Sequence, residues 1–118
     1  MKVPEKYYDE IFEFKGAWDV PSKCGLKIID KGERKVVIVT ELYQDNPGTS
    51  VTRAGRSLAE QACAAKGVDL ASALYLECNP DTRSKLSFYD EEYFEVTFGG
   101  GTPSYRLLSP GEVKELLS

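Results

Sequence analysis

Histidine is absent from this sequence. Its imidazole is the side chain whose ordinary pKa lies nearest to neutral pH, and it serves widely as a general base and as a metal ligand. The absence excludes Ser-His-Asp and Cys-His nucleophilic systems within this chain, and also zinc sites that use imidazole. Carboxylates, lysine, tyrosine and thiolate remain available, so an enzyme is disfavoured rather than excluded. The sequence assigns no catalytic residue.

Long apolar runs and paired cysteines are also missing. The longest purely aliphatic run, residues 36–39, is far shorter than the about 20 apolar residues that cross a bilayer. Residues 1–5 lack the apolar stretch of a secretory signal. The three cysteines form no CxxC pair and no even-numbered disulfide framework. These features predict a cytoplasmic protein that has no contact with a membrane.

Concentrated positive charge is missing as well. The formal net charge is −4, and the one short basic cluster, residues 31–35, has the composition of a hairpin turn. Since phosphate contacts supply much of the affinity for nucleic acids, we do not expect the chain to bind nucleic acid.

The patterns that are present indicate one α+β domain over residues 1–118. Hydrophobic residues make up 42% and charged residues 29%, as in folded globular proteins. The periodicity predicts the order β-β-β-α-β-β-β-α, with a mostly antiparallel sheet, one main helix packed on one face and a short C-terminal helix. The expected strands cover residues 11–15, 25–30, 34–43, 73–78, 92–98 and 104–108.

The main helix is expected over residues 50–66, ended by Gly67. Its small and apolar side chains fall within one narrow arc at 100° per residue, and these are Val51, Ala54, Gly55, Leu58, Ala62 and Ala65. The short helix is expected to begin at Ser109, because Ser109, Pro110 and Glu112 match a capping box with proline at the first helical position.

The stretch NPGTS, residues 46–50, joins the third strand to the main helix. It matches neither GxxxxGK[ST] nor GxGxxG, so it is not a recognised nucleotide motif. One interpretation is a simple turn followed by a Thr or Ser helix cap. The other is an anion site that recognises a phosphate-containing molecule at the helix start, formed by Gly48, Thr49, Ser50, Arg53 and Arg56. In the first interpretation Arg56 pairs with Glu60 on a solvated face.

The segments 36–42, 46–52 and 93–98, with Ala62-Cys63 and the KGVD stretch that ends the helix, resemble a group of small uncharacterised bacterial proteins. The resemblance covers roughly residues 36–98, with a gap, and NPGTS is its one distinctive motif. It implies a bacterial, plasmid or phage origin, and it implies no activity, cofactor or site residue.

Alternation along the strands predicts which side chains face the main helix. We expect Val36, Ile38 and Leu42 to face it, together with their counterparts in the later strands. The opposite face would then carry a glutamate and a tyrosine from each of three strands, namely Glu41 and Tyr43, Tyr75 and Glu77, Tyr93 and Glu95.

This tyrosine- and glutamate-bearing face suggests a protein-binding surface, with Trp18 as an additional anchor on its loop. The leading hypothesis is therefore a small cytoplasmic interaction module that binds a protein partner or a second copy of itself. The alternative is a small enzyme or ligand-binding domain that uses the 46–56 turn. In that alternative Glu41, Glu77 and Glu95 could converge on Mg²⁺ or Mn²⁺, although no metal ligand or cofactor is assigned because no carboxylate pair has motif-like spacing.

Overall fold

The computed structural model describes residues 5–42, 51–80 and 92–118. Within these ranges six strands form one sheet in chain order. They are β1 (Glu10–Lys15), β2 (Pro21–Asp30), β3 (Lys35–Thr40), β4 (Leu74–Asn79), β5 (Glu92–Thr97) and β6 (Ser104–Leu107). The helices are α1 (Val51–Ala65) and α2 (Pro110–Leu117), and short 3-10 turns cover Glu5–Tyr7, Ala17–Asp19 and Leu70–Ser72. The α+β class and the predicted order of elements are confirmed.

The central pair of strands, β3 and β4, is the one parallel pair among the described strands. The other neighbours are antiparallel, and α1 lies in the crossover between β3 and β4. Carboxyl ends of parallel strands meet at the same edge of a sheet, which is where α/β folds commonly place their sites. Glu41 follows β3 directly and Glu77 lies near the end of β4, so the connection brings both to this edge.

One face of the sheet is covered by α1. Leu58, Ala59 and Ala62 are fully buried there and pack against Val37, Val39 and other side chains of the sheet. The predicted inward arc of the helix is confirmed for Val51, Ala54, Gly55, Leu58 and Ala62, whereas Ala65 in the last turn is exposed. The small side chains let the helix lie close to the strands.

The opposite face is also buried. Val36, Ile38 and Leu76 pack there against Tyr7 and Tyr8 of the N-terminal segment. Val113 and Leu116 of α2 pack on the same cluster. The prediction that the sheet face remote from α1 is an exposed binding surface is therefore wrong, because two short segments cover this face.

The predicted orientation of β3 and β4 is wrong as well. Val37, Val39 and Tyr75 share a cluster with α1, whereas Val36, Ile38 and Leu42 lie on the other face. The physical reason is that β3 is buried on both sides, so its alternating residues carry no polar marker of direction. In β5 the prediction was right for Val96, which faces α1, and for Tyr93, which faces away.

Helix α1 is interrupted near its start at Gly55, whose φ of 51° and ψ of −125° are not helical. Glycine adopts this conformation readily because it has no Cβ. The interruption separates the first turn, residues 51–54, from the longer body of the helix. Contacts other than continuous helical hydrogen bonding must therefore help to hold this turn on the sheet.

The C-terminal helix α2 begins with the predicted capping box. Ser109 Oγ accepts from the backbone N–H of Glu112, and the Glu112 side chain accepts from the backbone N–H of Ser109. At the other end of α2, Lys31 Nζ donates to the carbonyls of Glu115 and Ser118. No helix in the described ranges combines the length and the apolarity that a bilayer crossing requires.

Candidate functional site

The tyrosine- and glutamate-bearing surface expected from the sequence is not assembled on one face. Glu41, Tyr75 and Glu77 lie on the α1 side of the sheet and are 4%, 2% and 3% exposed. Tyr93 and Glu95 lie on the opposite side, where Tyr93 is buried. Tyr43 lies outside the described residues. Trp18 is therefore the one described member of the predicted surface that is strongly exposed.

The two buried glutamates hold the first turn of α1. Glu41 Oε2 accepts from the backbone N–H of Val51 at 2.8 Å, and Glu77 Oε2 accepts from Thr52 Oγ1 at 3.2 Å. The first N–H groups of a helix have no partner within the helix, so a carboxylate there is favourable. Glu41 thus points toward α1 because it caps that helix. The sequence interpretation treated Glu41 as an outward residue and did not predict this cap.

Burial perturbs the acid–base properties of this region. The pKa of Glu77 is raised to about 7, mainly by burial and further by the nearby Glu41, while the Thr52 hydrogen bond opposes the rise. Burial also raises the pKa of Glu41 against the effect of its bond to Val51. The pKa of Tyr75 is raised, first by burial and then by the charge of Glu77. Shifts of this kind are common at functional sites, although structural burial also produces them.

Two buried polar atoms in this region lack a partner among the described residues, and they are Glu77 Oε1 and the Tyr75 hydroxyl. Both side chains project from β4 toward α1, two residues apart. Buried polar groups normally have a hydrogen-bond partner, because their desolvation is otherwise uncompensated. The α1 side of β4 therefore carries unused hydrogen-bonding capacity.

The three carboxylates considered for Mg²⁺ or Mn²⁺ do not converge. Glu95 lies on the face remote from Glu41 and Glu77, and its Oε2 accepts from Arg106 Nη2 at 2.9 Å. Within residues 5–42, 51–80 and 92–118, no three acidic or cysteine side chains come together in a way that would hold a metal ion. This arrangement contradicts the hypothesis of a Glu41, Glu77 and Glu95 metal centre.

The geometry gives little support for the anion site expected at the helix start. Gly48, Thr49 and Ser50 lie outside the described residues, and Arg53 lies on the exposed side of the first turn of α1. The backbone N–H of Val51 already binds the Glu41 carboxylate, whose negative charge would oppose an anion. Arg56 Nε donates to Glu60 Oε1 at 2.7 Å, as the interpretation of a solvated helical face predicts.

A groove of about 500 Å³ runs beside α1 over β4 and β5. We call it the β5 groove. Its floor includes Tyr75, Val96 and Phe98, and the Tyr75 and Phe98 rings are 5.6 Å apart. Arg34 and Arg56 lie on its walls. This groove was not predicted from the sequence because its lining comes from separate parts of the chain. Of its lining residues, Arg56, Tyr75 and Glu95 were candidates beforehand.

The turn between β1 and β2, residues 16–20, presents Trp18 to solvent. We call this turn the Trp18 tip. The Trp18 side chain is 94% exposed. Trp18 and Asp19 have φ values of 61° and 57°, in the left-handed region, and the turn is closed by a hydrogen bond from the Gly16 N–H to the Val20 carbonyl at 2.8 Å. The sequence identified Trp18 as a candidate anchor, but not its strained backbone.

Comparison of this chain with models of protein families, with curated proteins and with solved structures gives no match. The resemblance to small bacterial proteins thus remains a prediction. The structural features that bear on function are the Trp18 tip, the buried glutamates and the β5 groove.

Proposed function

We propose that the protein is an interaction module that binds a protein partner through the Trp18 tip. The observation that carries the proposal is the combination of a 94% exposed tryptophan with a left-handed backbone at the same residue. This surface replaces the tyrosine- and glutamate-bearing face, whose described members are mostly buried.

The Trp18 tip has a free-energy cost for the folded chain. A left-handed conformation costs a non-glycine residue about 1 kcal/mol or more, and glycine or asparagine would adopt it more easily. Strained residues of this kind cluster at functional sites. A tryptophan that remains almost wholly exposed gains little from burial within its own fold, whereas it can gain much in the pocket of a partner. Tryptophan is also among the residues that most often dominate the binding energy of an interface.

The residues around Trp18 indicate the kind of surface that the partner must offer. Val20, which is also partly exposed, lies two residues away, so the tip offers an aromatic ring with an apolar neighbour. A pocket on another protein, or on a second copy of this chain, suits such a group. The net charge of −4 disfavours nucleic acid as the partner. Three buried cysteines, none of them in a disulfide, support a reducing, cytoplasmic location as part of the proposal.

The test compares three variants of the immobilised protein with cell lysate. We expect Trp18→Ala and Trp18→Gly to lose the partner by roughly 30-fold or more, because a dominant interface residue contributes about 2 kcal/mol or more. Glycine suits the left-handed backbone, so Trp18→Gly should fold at least as stably as the parent and separates lost binding from lost folding. Leu107→Ala, at an exposed residue of the distant strand β6, is the matched control and should retain the partner.

A direct measurement uses the fact that Trp18 is the only tryptophan. Protein labelled with 5-fluorotryptophan gives a single ¹⁹F resonance, which should shift or broaden when the captured partner is added. The same resonance followed against protein concentration tests self-association. If the partner binds all three variants equally and the resonance does not change, the Trp18 tip is not the interface.

A further inference from the structure

We infer that the β5 groove is a binding site for a small molecule with a flat apolar body and one anionic group, a carboxylate or a phosphate. The inference is independent of the Trp18 tip, which lies at the turn between β1 and β2. It also differs from the anion site expected at residues 46–56, although Arg56 belongs to both.

The shape of the β5 groove fits a small molecule rather than a peptide or a nucleic acid. Its volume of about 500 Å³ lies within the range of roughly 300–1,000 Å³ typical of ligand pockets. The floor is apolar and aromatic, since Val96 is buried and the Tyr75 and Phe98 rings contact each other at a tilt of 49°. Leu70 adds a further apolar contact. A flat apolar body can pack on such a floor without placing polar groups in an apolar setting.

Two of the three acidic residues along the β5 groove are held in ion pairs. Glu60 is paired with Arg56, and Glu95 is paired with Arg106. Asp69 Oδ1 accepts from the backbone N–H of Ala71 at 3.2 Å, where it caps the 3-10 turn Leu70–Ser72. The charges of Glu60 and Glu95 are thus compensated by arginines, whereas Asp69 keeps its negative charge and is held by a neutral N–H group.

The guanidinium group of Arg34 is the cation of the groove that forms no ion pair among the described residues. Among the described residues its hydrogen bond is a single one, from Nη2 to the carbonyl of Ala73 at 3.4 Å. Guanidinium has five N–H donors in a fixed plane and binds carboxylate or phosphate oxygens in pairs. Arg56 is engaged with Glu60 on an exposed surface, where such pairs contribute little to stability, so it can also turn toward a ligand anion.

Tyr75 forms part of the floor of the β5 groove. Tyr75 lines the groove, is 2% exposed and has a hydroxyl with no partner among the described residues. An unpartnered buried hydroxyl is unfavourable. The hydroxyl is enclosed by the core, so the contribution of Tyr75 to the site is its ring, which packs with Phe98 on the floor.

The test uses two probes of the same shape that differ in charge, 2-naphthoate and 2-naphthamide, followed by ¹H–¹⁵N NMR. We expect both to shift the amide signals of Ala71, Ala73, Val96 and Phe98. The naphthoate should bind about fivefold more tightly, the increment typical of one partly exposed ion pair. Titration with 2-naphthyl phosphate then distinguishes a phosphate preference from a carboxylate preference.

Variants locate the site and its charge. Arg34→Gln should reduce the affinity for naphthoate to that for naphthamide and leave the naphthamide affinity unchanged. Lys23→Gln, which removes an exposed cation of β2, is the matched control and should change neither affinity. Ala71→Phe should weaken both probes by occupying the groove. Trp18→Ala should bind both probes normally, which separates this site from the proposed protein interface.

Three results would each overturn the inference. One is the absence of shifts at the four amides up to about 5 mM naphthoate, which is weaker than the usual range for a specific ligand site. The second is equal affinity for the charged and the neutral probe. The third is an Arg34→Gln variant that remains folded by its NMR spectrum and still prefers naphthoate.

Discussion

Each face of the sheet carries a buried apolar cluster, but the two faces differ in how their polar groups are satisfied. On the face covered by Tyr7, Tyr8 and α2, the buried Thr40 hydroxyl donates to the Tyr7 carbonyl at 3.0 Å. On the face covered by α1, Glu77 Oε1 and the Tyr75 hydroxyl have no partner in the described residues. The buried hydroxyl on the first face is thus hydrogen-bonded, whereas two buried polar groups on the α1 face lack a partner among the described residues.

This contrast makes the α1 face the better candidate for acid–base chemistry or ligand binding in this fold. Polar groups in a well-satisfied core specify packing, whereas incompletely satisfied ones store an unfavourable free energy. On the α1 face, Glu41 and Glu77 accept hydrogen bonds from the first turn of α1. Tyr75, on the same face, lies at the floor of the β5 groove. We therefore expect protonation of these glutamates, or a ligand in the β5 groove, to change the stability of α1.

The largest effect expected is on the apolar cores themselves. Leu58 on the α1 face and Leu76 on the opposite face are both almost fully buried. We expect Leu58→Ala and Leu76→Ala each to lower the free energy of unfolding by about 3 kcal/mol, because each loses burial and leaves a cavity. Urea denaturation measures this, and Leu107→Ala should stay near zero. A cost below about 1 kcal/mol for Leu76→Ala would mean that the second face is not a true core.

The next effect is the pH dependence caused by Glu77. Its pKa rises from the ordinary 4.5 to about 7 on folding, so the folded state binds more protons between these values and stability falls as the pH increases from about 4.5 to 7. At about 1.4 kcal/mol per pKa unit, the loss is at most about 3 kcal/mol. The raised pKa of Glu41 acts in the same direction.

Glu77→Gln isolates this contribution, because glutamine keeps an acceptor for Thr52 and removes the charge. We expect the variant to be more stable than the parent at pH 8 and to show a smaller loss of stability between pH 5 and pH 8, measured by urea denaturation. Glu60→Gln, at an exposed residue of α1, is the control and should follow the parent. Parallel pH profiles for the parent and Glu77→Gln would contradict a raised pKa at Glu77.

The smallest effect concerns the helix that closes the second face. Ser109→Ala removes the side chain that caps α2 and should cost about 1 kcal/mol. Hydrogen exchange should rise in α2 while α1 is unaffected, since the two helices lie on opposite faces. Ser57→Ala on the exposed side of α1 is the matched control and should leave exchange in α2 unchanged. Equal acceleration in both helices after Ser109→Ala would mean that the faces unfold together.

Much of the fold could be predicted from local patterns. The alternation in residues 92–98, the inward arc of α1 and the capping box at Ser109 each depend on residues that lie close together in sequence. Each is confirmed, except that Ala65 of the predicted arc is exposed. Gly67 also follows the end of α1 with a left-handed φ of 66°. Such signals need no knowledge of distant partners.

Orientation and site geometry could not be predicted in the same way. The direction of β3 depends on what covers each face, and the covering groups, Tyr7, Tyr8 and α2, come from the two ends of the described chain. The all-apolar run of residues 36–39 was the available signal that both faces are buried. The β5 groove depends on strand order, which places Arg34 and Phe98 together although they are distant in sequence.

The parallel pairing of β3 with β4 also has a consequence for synthesis on the ribosome. Residues 35–40, KVVIVT, emerge with β2 as their earlier neighbour, but β4 follows only after the whole of α1 has been made. Until then one edge of the most β-prone and apolar strand of the nascent chain has no native partner. An open edge of this composition readily recruits other chains, so the interval between translation of Thr40 and of Asn79 is when this protein is most exposed to misassembly.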